Sequence, residues 1–376
     1  MSWSSRHRGA VDSGLRCSRC GSSSHGDVPL AQLLQRISSS QTGLSARTRV
    51  NAARIDYHYP LPMDQQGGLN MNNNVCARSI VCALGVLVAT AAFADNPLGG
   101  DEGKLALTAG FTDLDGAGGG GLVPLAFITG YGSRDSWGAN AHFTDIPLRD
   151  FTLRAMGVSV GLFDRIELSY TRHDLDVTNT ALDGLGVKQQ IFGAKVKLMG
   201  ESVYGQDSWL PQVAVGIEYK KNDGIKDAAH VGLPGLVNPQ QLGAQSEHGE
   251  DYYLNATKVW LAESLVVNAV VRYTKANQFG LLGFGGDRHS GYSLRPEATV
   301  AYLFTRRFAL GTELRTRPHN LSVDDESSAW DVFGAWAPTK NISLVLAYVN
   351  VGSILAPVTG VSRREDGPYL SIQAGF

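Results

Sequence analysis

The sequence predicts an all-β fold: a closed antiparallel transmembrane β-barrel of about 14 strands, of outer-membrane type. Three observations predict it. An export signal lies inside the chain. Period-two runs of about ten residues recur after it. The links between those runs sort into a short set and a long set.

The chain starts with a region that does not look folded. Residues 1–70 hold eight Arg, no Lys and no Glu, with little apolar periodicity. Such composition reads as a disordered or non-native extension, as an over-extended gene model would produce. Cys17 and Cys20 form a lone C-x-x-C with no second pair, so no metal site is expected there.

Residues 71–94 read as a secretory signal peptide. Met71 opens a polar leader with Arg78, an apolar run follows from Ile80 to Phe93, and Ala92-Phe93-Ala94 supplies the small-residue cleavage pattern. The run is too short for a transmembrane helix, which needs about 20 apolar residues. Residues 95–376 then form the exported barrel domain. All four Cys precede it, which suits an oxidising compartment. It carries 24 basic against 31 acidic side chains, a net −7 that argues against nucleic acid as a partner.

Alternation defines the strands. In "RIELSYT", Ile166, Leu168 and Tyr170 share one face and Glu167 the other. In "PQVAVGIEYK", Val215, Ile217 and Tyr219 oppose Gln212, Glu218 and Lys220. "FALGTELRTR" and "NISLVLAYVN" alternate likewise, which is the pattern of strands with one apolar and one polar face. Strands are expected near 104–111, 122–132, 136–146, 151–163, 165–176, 187–199, 209–222, 251–262, 265–277, 292–305, 308–318, 328–338, 341–353 and 367–376. Links such as "FDR", "AES" and "TRR" are short; "VTNTALDGLG", 223–250 and "QFGLLGFGGDRHSG" are long and Gly-rich. Short turns on one rim and long loops on the other mark an outer-membrane barrel, with both termini in the periplasm. "TDLDGAGGGG" reads as a flexible outer loop or tight connection, and no G-K-[ST] follows to make it a phosphate loop. Only about nine residues separate Asp95 from the first expected strand, which leaves no room for a luminal plug.

The last strand, "PYLSIQAGF", ends on Phe376. Tyr369, Leu370, Ile372 and Phe376 are the expected assembly signal, read by the barrel assembly machinery during insertion into the outer-membrane lipid. Interfacial aromatic girdles are expected from Tyr131, Trp137, Phe163, Trp209, Tyr273, Tyr302, Trp330, Trp336, Tyr348 and Tyr369.

Four strings, "GKLALTAGF", "QDSWLPQVAVGIEYKKND", "TKANQFGLLGFGGDR" and "AWDVFGAWAPTKNISLVLAYV", resemble a proteobacterial family, domain of unknown function 3034. The resemblance spans roughly residues 96–376. It implies an uncharacterised outer-membrane β-barrel and brings no activity or site residues with it.

No catalytic set is evident: there is no H-E-x-x-H, and the His residues are scattered. His173-Asp174 and Asp287-Arg288-His289 read as a hydrated rim of mixed charge. No enzymatic activity, cofactor or metal is expected. Alternation sends Lys104, Arg154, Lys195, Lys197, Lys220, Arg272, Arg295, Arg315 and Arg317 inward, with Glu167, Glu218, Glu297, Glu313 and Asp331. A narrow passive pore for small solutes with mild anion preference is the expected function. Phe279, Leu281, Leu282 and Phe284 are apolar in an expected outer loop and suggest the alternative, a transporter or binder of small hydrophobic molecules. A non-conducting structural or interaction barrel is a further alternative.

Overall fold

The protein is described here by a computed structural model over residues 104–180, 182–233, 235–355 and 364–376. The extension 1–70 and the signal segment 71–94 lie outside the described residues.

Twelve strands close into one antiparallel barrel. They are β1 (Trp137–Pro147), β2 (Phe151–Leu162), β3 (Ile166–Val177), β4 (Gly186–Met199), β5 (Gln212–Lys226), β6 (His248–Trp260), β7 (Leu265–Thr274), β8 (Ser293–Thr305), β9 (Phe308–Arg315), β10 (Ala329–Trp336), β11 (Ile342–Gly352) and β12 (Glu365–Gly375). Each pairs with its sequence neighbours, and β12 returns to β1 in the register Phe143↔Ile372 and Asn140↔Gly375. Closure leaves no unpaired edge. Among the described residues no helix is long and apolar enough to cross a membrane.

The strands follow the alternation. In β5, Gln212, Ala214, Glu218, Lys220 and Asn222 are buried, while Val215, Ile217 and Tyr219 are exposed. Leu168, Leu254, Val300, Leu310, Val332, Leu346 and Leu370 add to an apolar outer wall. A continuous apolar surface of this kind is unfavourable in water and suits lipid. Short turns cluster on the rim that holds Phe376. The opposite rim carries the links from β5 to β6, β7 to β8 and β9 to β10, each longer than 200–211, the one extended link of the terminal rim.

The strand count is 12, not 14. The segments 104–111 and 122–132 are not strands of the wall; they lie inside the barrel. Only a four-residue helix, α1 (Ala106–Ala109), forms there. The reason is legible afterwards: Leu122 to Ile128 are buried without interruption, so the run has no polar face to alternate with. Residues 104–136 therefore form a plug, and the expectation that the chain lacked room for one is corrected. "GAGGGG" is likewise inside the lumen, not an outer loop.

Most girdle aromatics sit at the wall's two rims. Trp137, Phe163 and Trp336 mark the terminal rim, and Tyr273, Trp330 and Tyr348 the opposite one. Tyr131 and Tyr369 do not belong with them. Both are buried inside, where the Tyr131 hydroxyl donates to Ala106 O at 3.3 Å and that of Tyr369 to Gly121 O at 3.4 Å. Leu370, Ile372 and Phe376 share the outward face of β12, opposite Tyr369.

Candidate functional site

The plug enters beside the terminal rim. Lys104 pairs with Asp164 in the β2–β3 turn at 2.8 Å and donates to Ile128 O and Gly130 O. The chain rises to Leu114 and Asp115, turns through the glycines, and descends to Tyr131, whose N–H donates to Phe376 O at 3.1 Å. The plug pairs part of its backbone with itself, as Leu114 N with Gly121 O and Leu125 N with Gly118 O, and the groups left over need other partners, because a buried unpaired N–H or C=O is costly. The wall supplies them from side chains. Glu313 accepts from Gly121 N (2.9 Å) and Leu122 N (2.5 Å). Glu167 accepts from Gly118 N and Thr129 N, both at 2.8 Å. Lys195 donates to Gly118 O and Leu125 O, and Gln373 brackets both polar groups of Thr112. At Gly120 a Cβ would overlap Glu313 Oε1, so only glycine lets the backbone come this close.

Higher up, Asp115 is the hub of a buried ionic cluster. Its Oδ2 lies 2.9 Å from Lys220 Nζ and 2.7 Å from Arg315 Nη2. Lys220 also meets Glu218 and Asp251, each at 3.1 Å. Arg272 bridges Glu218 (2.8 Å) and Glu297 (2.6 Å). These charges are fully buried and mutually paired, an arrangement stable only while every partner stays in place. His173 turns inward to Leu114 O at 2.8 Å, whereas Asp174 faces outward to Lys188 at 3.2 Å. The two side chains lie on opposite sides of the wall and form no couple.

Most residues expected in the lumen are there. Glu167, Lys195, Lys197, Glu218, Lys220, Arg272, Glu297, Glu313, Arg315, Arg317 and Asp331 are buried, and Arg295 lies half-buried on the inward row of β8. Most of them hold the plug or one another, while Lys197 pairs with Asp164 and Glu201 of the terminal-rim turns and Arg295 donates to Ser293. Lys104 reaches the interior from the plug, not from a strand. Arg154 is a correction: it sits on the outward row of β2 and pairs with Asp145 (3.3 Å) and Asp176 (2.9 Å). In that half of β2, Phe151, Leu153 and Ala155 point inward against the plug, so apolar residues mark the inside and charge the outside. Asp115 and Asp251 were missed. Asp115 was assigned to a loop, and the faces of "DYYLNATKVWLA" look alike in sequence. The run "TDLDG" beside glycines was the available signal for the first.

The loop 275–292 folds back into the barrel mouth. Phe279, Leu281, Leu282 and Phe284 are buried, so they pack as a cap and offer no exposed outer-loop contact to a solute. Phe279 lies under the guanidinium groups of Arg315 and Arg317, at 4.9 and 4.7 Å from its ring centre. Gln278 and Phe279 both take left-handed φ, 46° and 62°, conformations that cost energy unless held. They are held by Glu326, which accepts from Gln278 N at 2.9 Å, and by Asp324, which accepts from Gln278 Nε2 at 2.8 Å. Burial pushes the Glu326 carboxyl up to about 8, with Arg317 opposing the shift and Asp324 reinforcing it.

Below the ionic tier the lumen changes character. A chamber of about 420 Å³ lies between the plug and β6–β11, lined mainly by apolar groups. Phe111, Leu125 and Phe127 of the plug face Val266, Ala301 and Phe333 of the wall across it. Its size falls within the range of small-molecule sites. Neither the cavity nor its plug-side wall was foreseen, because both depend on the plug. No group of three or more candidate metal ligands occurs among the described residues.

Comparison with known proteins gives a family and a set of distant barrels. No curated protein matches the chain. Among solved structures, the KdgM porin is 12% identical, covering 63% of this chain and 99% of its own, with a TM-score of 0.40. The NanC porin is 11% identical, covering 63% and 98%, with a TM-score of 0.37. The outer membrane phospholipase A from Escherichia coli is 8% identical, covering 63% and 92%, with a TM-score of 0.33. The family described as "Protein of unknown function (DUF3034)" matches residues 108–373, and the chain belongs to that family.

Proposed function

We propose that the protein is an outer-membrane conduit for small, mainly apolar molecules, closed at rest by its own N-terminal plug. One observation carries the reading: the lumen contains an apolar chamber of about 420 Å³, roofed by the plug and enclosed by the pore-like barrel. The polar tier above it supports the same reading. Its charges are spent on holding the plug and on each other, so the closed state offers an ion no free charged wall. The anion preference expected from wall charges loses its basis. Arg154 faces outward and Asp251 faces inward, which leaves eight of the expected cations against six anions, and the buried Asp113 and Asp115 of the plug even the count. Export by the signal at 71–94 and insertion through the assembly machinery belong to this proposal.

The test is a comparison of two proteins in planar bilayers and vesicles: the intact barrel and one with residues 104–130 replaced by a short flexible linker. The intact barrel is expected to show little steady ionic current, and the replaced barrel a persistent one. A steady large current through the intact barrel would refute plug closure. Equal uptake of a small neutral aromatic probe by vesicles with and without the intact barrel would remove apolar cargo from the reading.

A further inference from the structure

The chamber has one charged residue in its lining, Arg306, in the turn between β8 and β9. The rest are apolar side chains, glycines and the hydroxyls of Thr108, Ser264, Thr299 and Thr305. Arg306 is exposed and has no ion-pair partner among the described residues. Leu261 and Phe304, both about half exposed, also border the cavity at this rim. The chamber thus runs from a dry end under Gly119, Gly120 and Leu125 to an end at the terminal rim, where a guanidinium meets water. The ladder between β8 and β9 is irregular at that point, with a register shift between Leu303 and Thr305.

We propose that the chamber takes a single-chain amphiphile with an anionic head. The tail lies under the plug, and the head meets Arg306 at the periplasmic rim. This rests on the reading of the chamber as the cargo site and names the chemical class that fits it. Volume sets the tail. At about 30 Å³ for each water-sized group, the cavity holds on the order of 14 heavy atoms. A twelve-carbon carboxylate has that size. Polarity sets the orientation. A carboxylate driven into the dry end would lose its hydration with no charged group to replace it. At the rim it keeps water and gains charge-assisted hydrogen bonds from a guanidinium, whose forked donors match two carboxylate oxygens. A cationic head meets the wrong charge there, and a neutral alcohol gains no charge assistance.

The experiment uses the full barrel in uncharged detergent and a dodecanoate bearing a diazirine at the tail end. After photolysis, labelled peptides are identified by mass. Unlabelled dodecanoate, dodecan-1-ol and dodecyltrimethylammonium serve as competitors. Labels are expected on 105–127, 259–266 or 299–309, with dodecanoate competing at about tenfold lower concentration than the alcohol. Arg306→Gln should bring the two within about twofold while leaving the labelled positions unchanged. Val266→Trp should fill the chamber and abolish labelling, and Ala301→Trp provides the same block from the neighbouring strand should the first variant fail to fold. Equal competition by acid and alcohol in the native barrel, or better competition by the ammonium, overturns the anionic head and leaves apolar cargo standing. Labels confined to lipid-facing positions such as Leu254 and Val271 overturn both.

Discussion

Replacing Asp115 with Asn should open the barrel. The substitution keeps the side chain's shape and removes its charge. Asp115 is fully buried and accepts from Lys220 at 2.9 Å and from Arg315 at 2.7 Å. Breaking a buried pair by removing one partner costs about 3–5 kcal/mol. The lower end applies here, because Lys220 keeps Glu218 and Asp251, each at 3.1 Å, and Arg315 keeps Glu297 at 3.3 Å. These remaining contacts belong to the wall, so the loss falls on plug docking and not on barrel closure. About 3 kcal/mol is roughly a hundredfold shift in the docked-to-undocked ratio. Single-channel recording should show an open probability raised on the order of a hundredfold, with the gel shift between heated and unheated protein unchanged. An Asp115→Asn barrel that inserts normally and opens no more often than the native one would refute the assignment of Asp115 as the plug's anchor.

Gly120→Val should mimic the same opening sterically, since its Cβ would overlap Glu313, and channel recording checks it. Leu346→Arg, on an outward residue 62% exposed, should lower folding stability in vesicles by about 2–4 kcal/mol; an unchanged urea midpoint would place that face away from lipid. Deleting Phe376 should slow insertion, because its carbonyl accepts from Tyr131 and Ala139 and its ring meets Trp137 edge-on at 5.3 Å; folding yield in cells measures this. The cap should loosen with rising pH. Glu326 has its carboxyl raised to about 8 from an ordinary value of 4.5, so it favours the folded loop most below about 4.5. That contribution is lost as pH rises through 8. Hydrogen exchange in 275–285, corrected for intrinsic rate, should accelerate over that window, and Glu326→Gln should flatten the dependence.

Period-two alternation was sufficient to place all twelve wall strands and the division of links between rims, because a lipid face and a luminal face impose opposite polarity at every step. It failed where that contrast vanishes. The run Leu122–Ile128 is apolar at both parities, since it packs on the wall on one side and borders the apolar chamber on the other. At Arg154 the rule inverted, because the wall there faces the plug with Leu153 and Ala155 and faces outward with charge. Ser343 points inward and faces Gly110 of the plug, so an arginine there would meet packed backbone. Luminal ionisable residues were legible one by one. Their task was not, because Lys195, Glu167 and Glu313 find their partners on a segment that sequence alone divides between an outer loop and a wall strand.

The strands differ in length around the barrel, and the bilayer must answer to that. β4 and β5 have 14 and 15 residues, while β9 and β10 have 8 each. At about 3.4 Å per residue and a tilt near 40°, the shorter strands span roughly 21 Å of membrane thickness. The apolar band of such barrels is about 25 Å tall. Lipids beside β9 and β10 must therefore compress or splay to meet the wall, at a cost of fractions of a kcal/mol for each ångström of mismatch. The compressed sector lies along the flank where the chamber comes down to the terminal rim. A molecule dissolved in that thinned sector has less hydrocarbon to cross before it reaches the terminal rim.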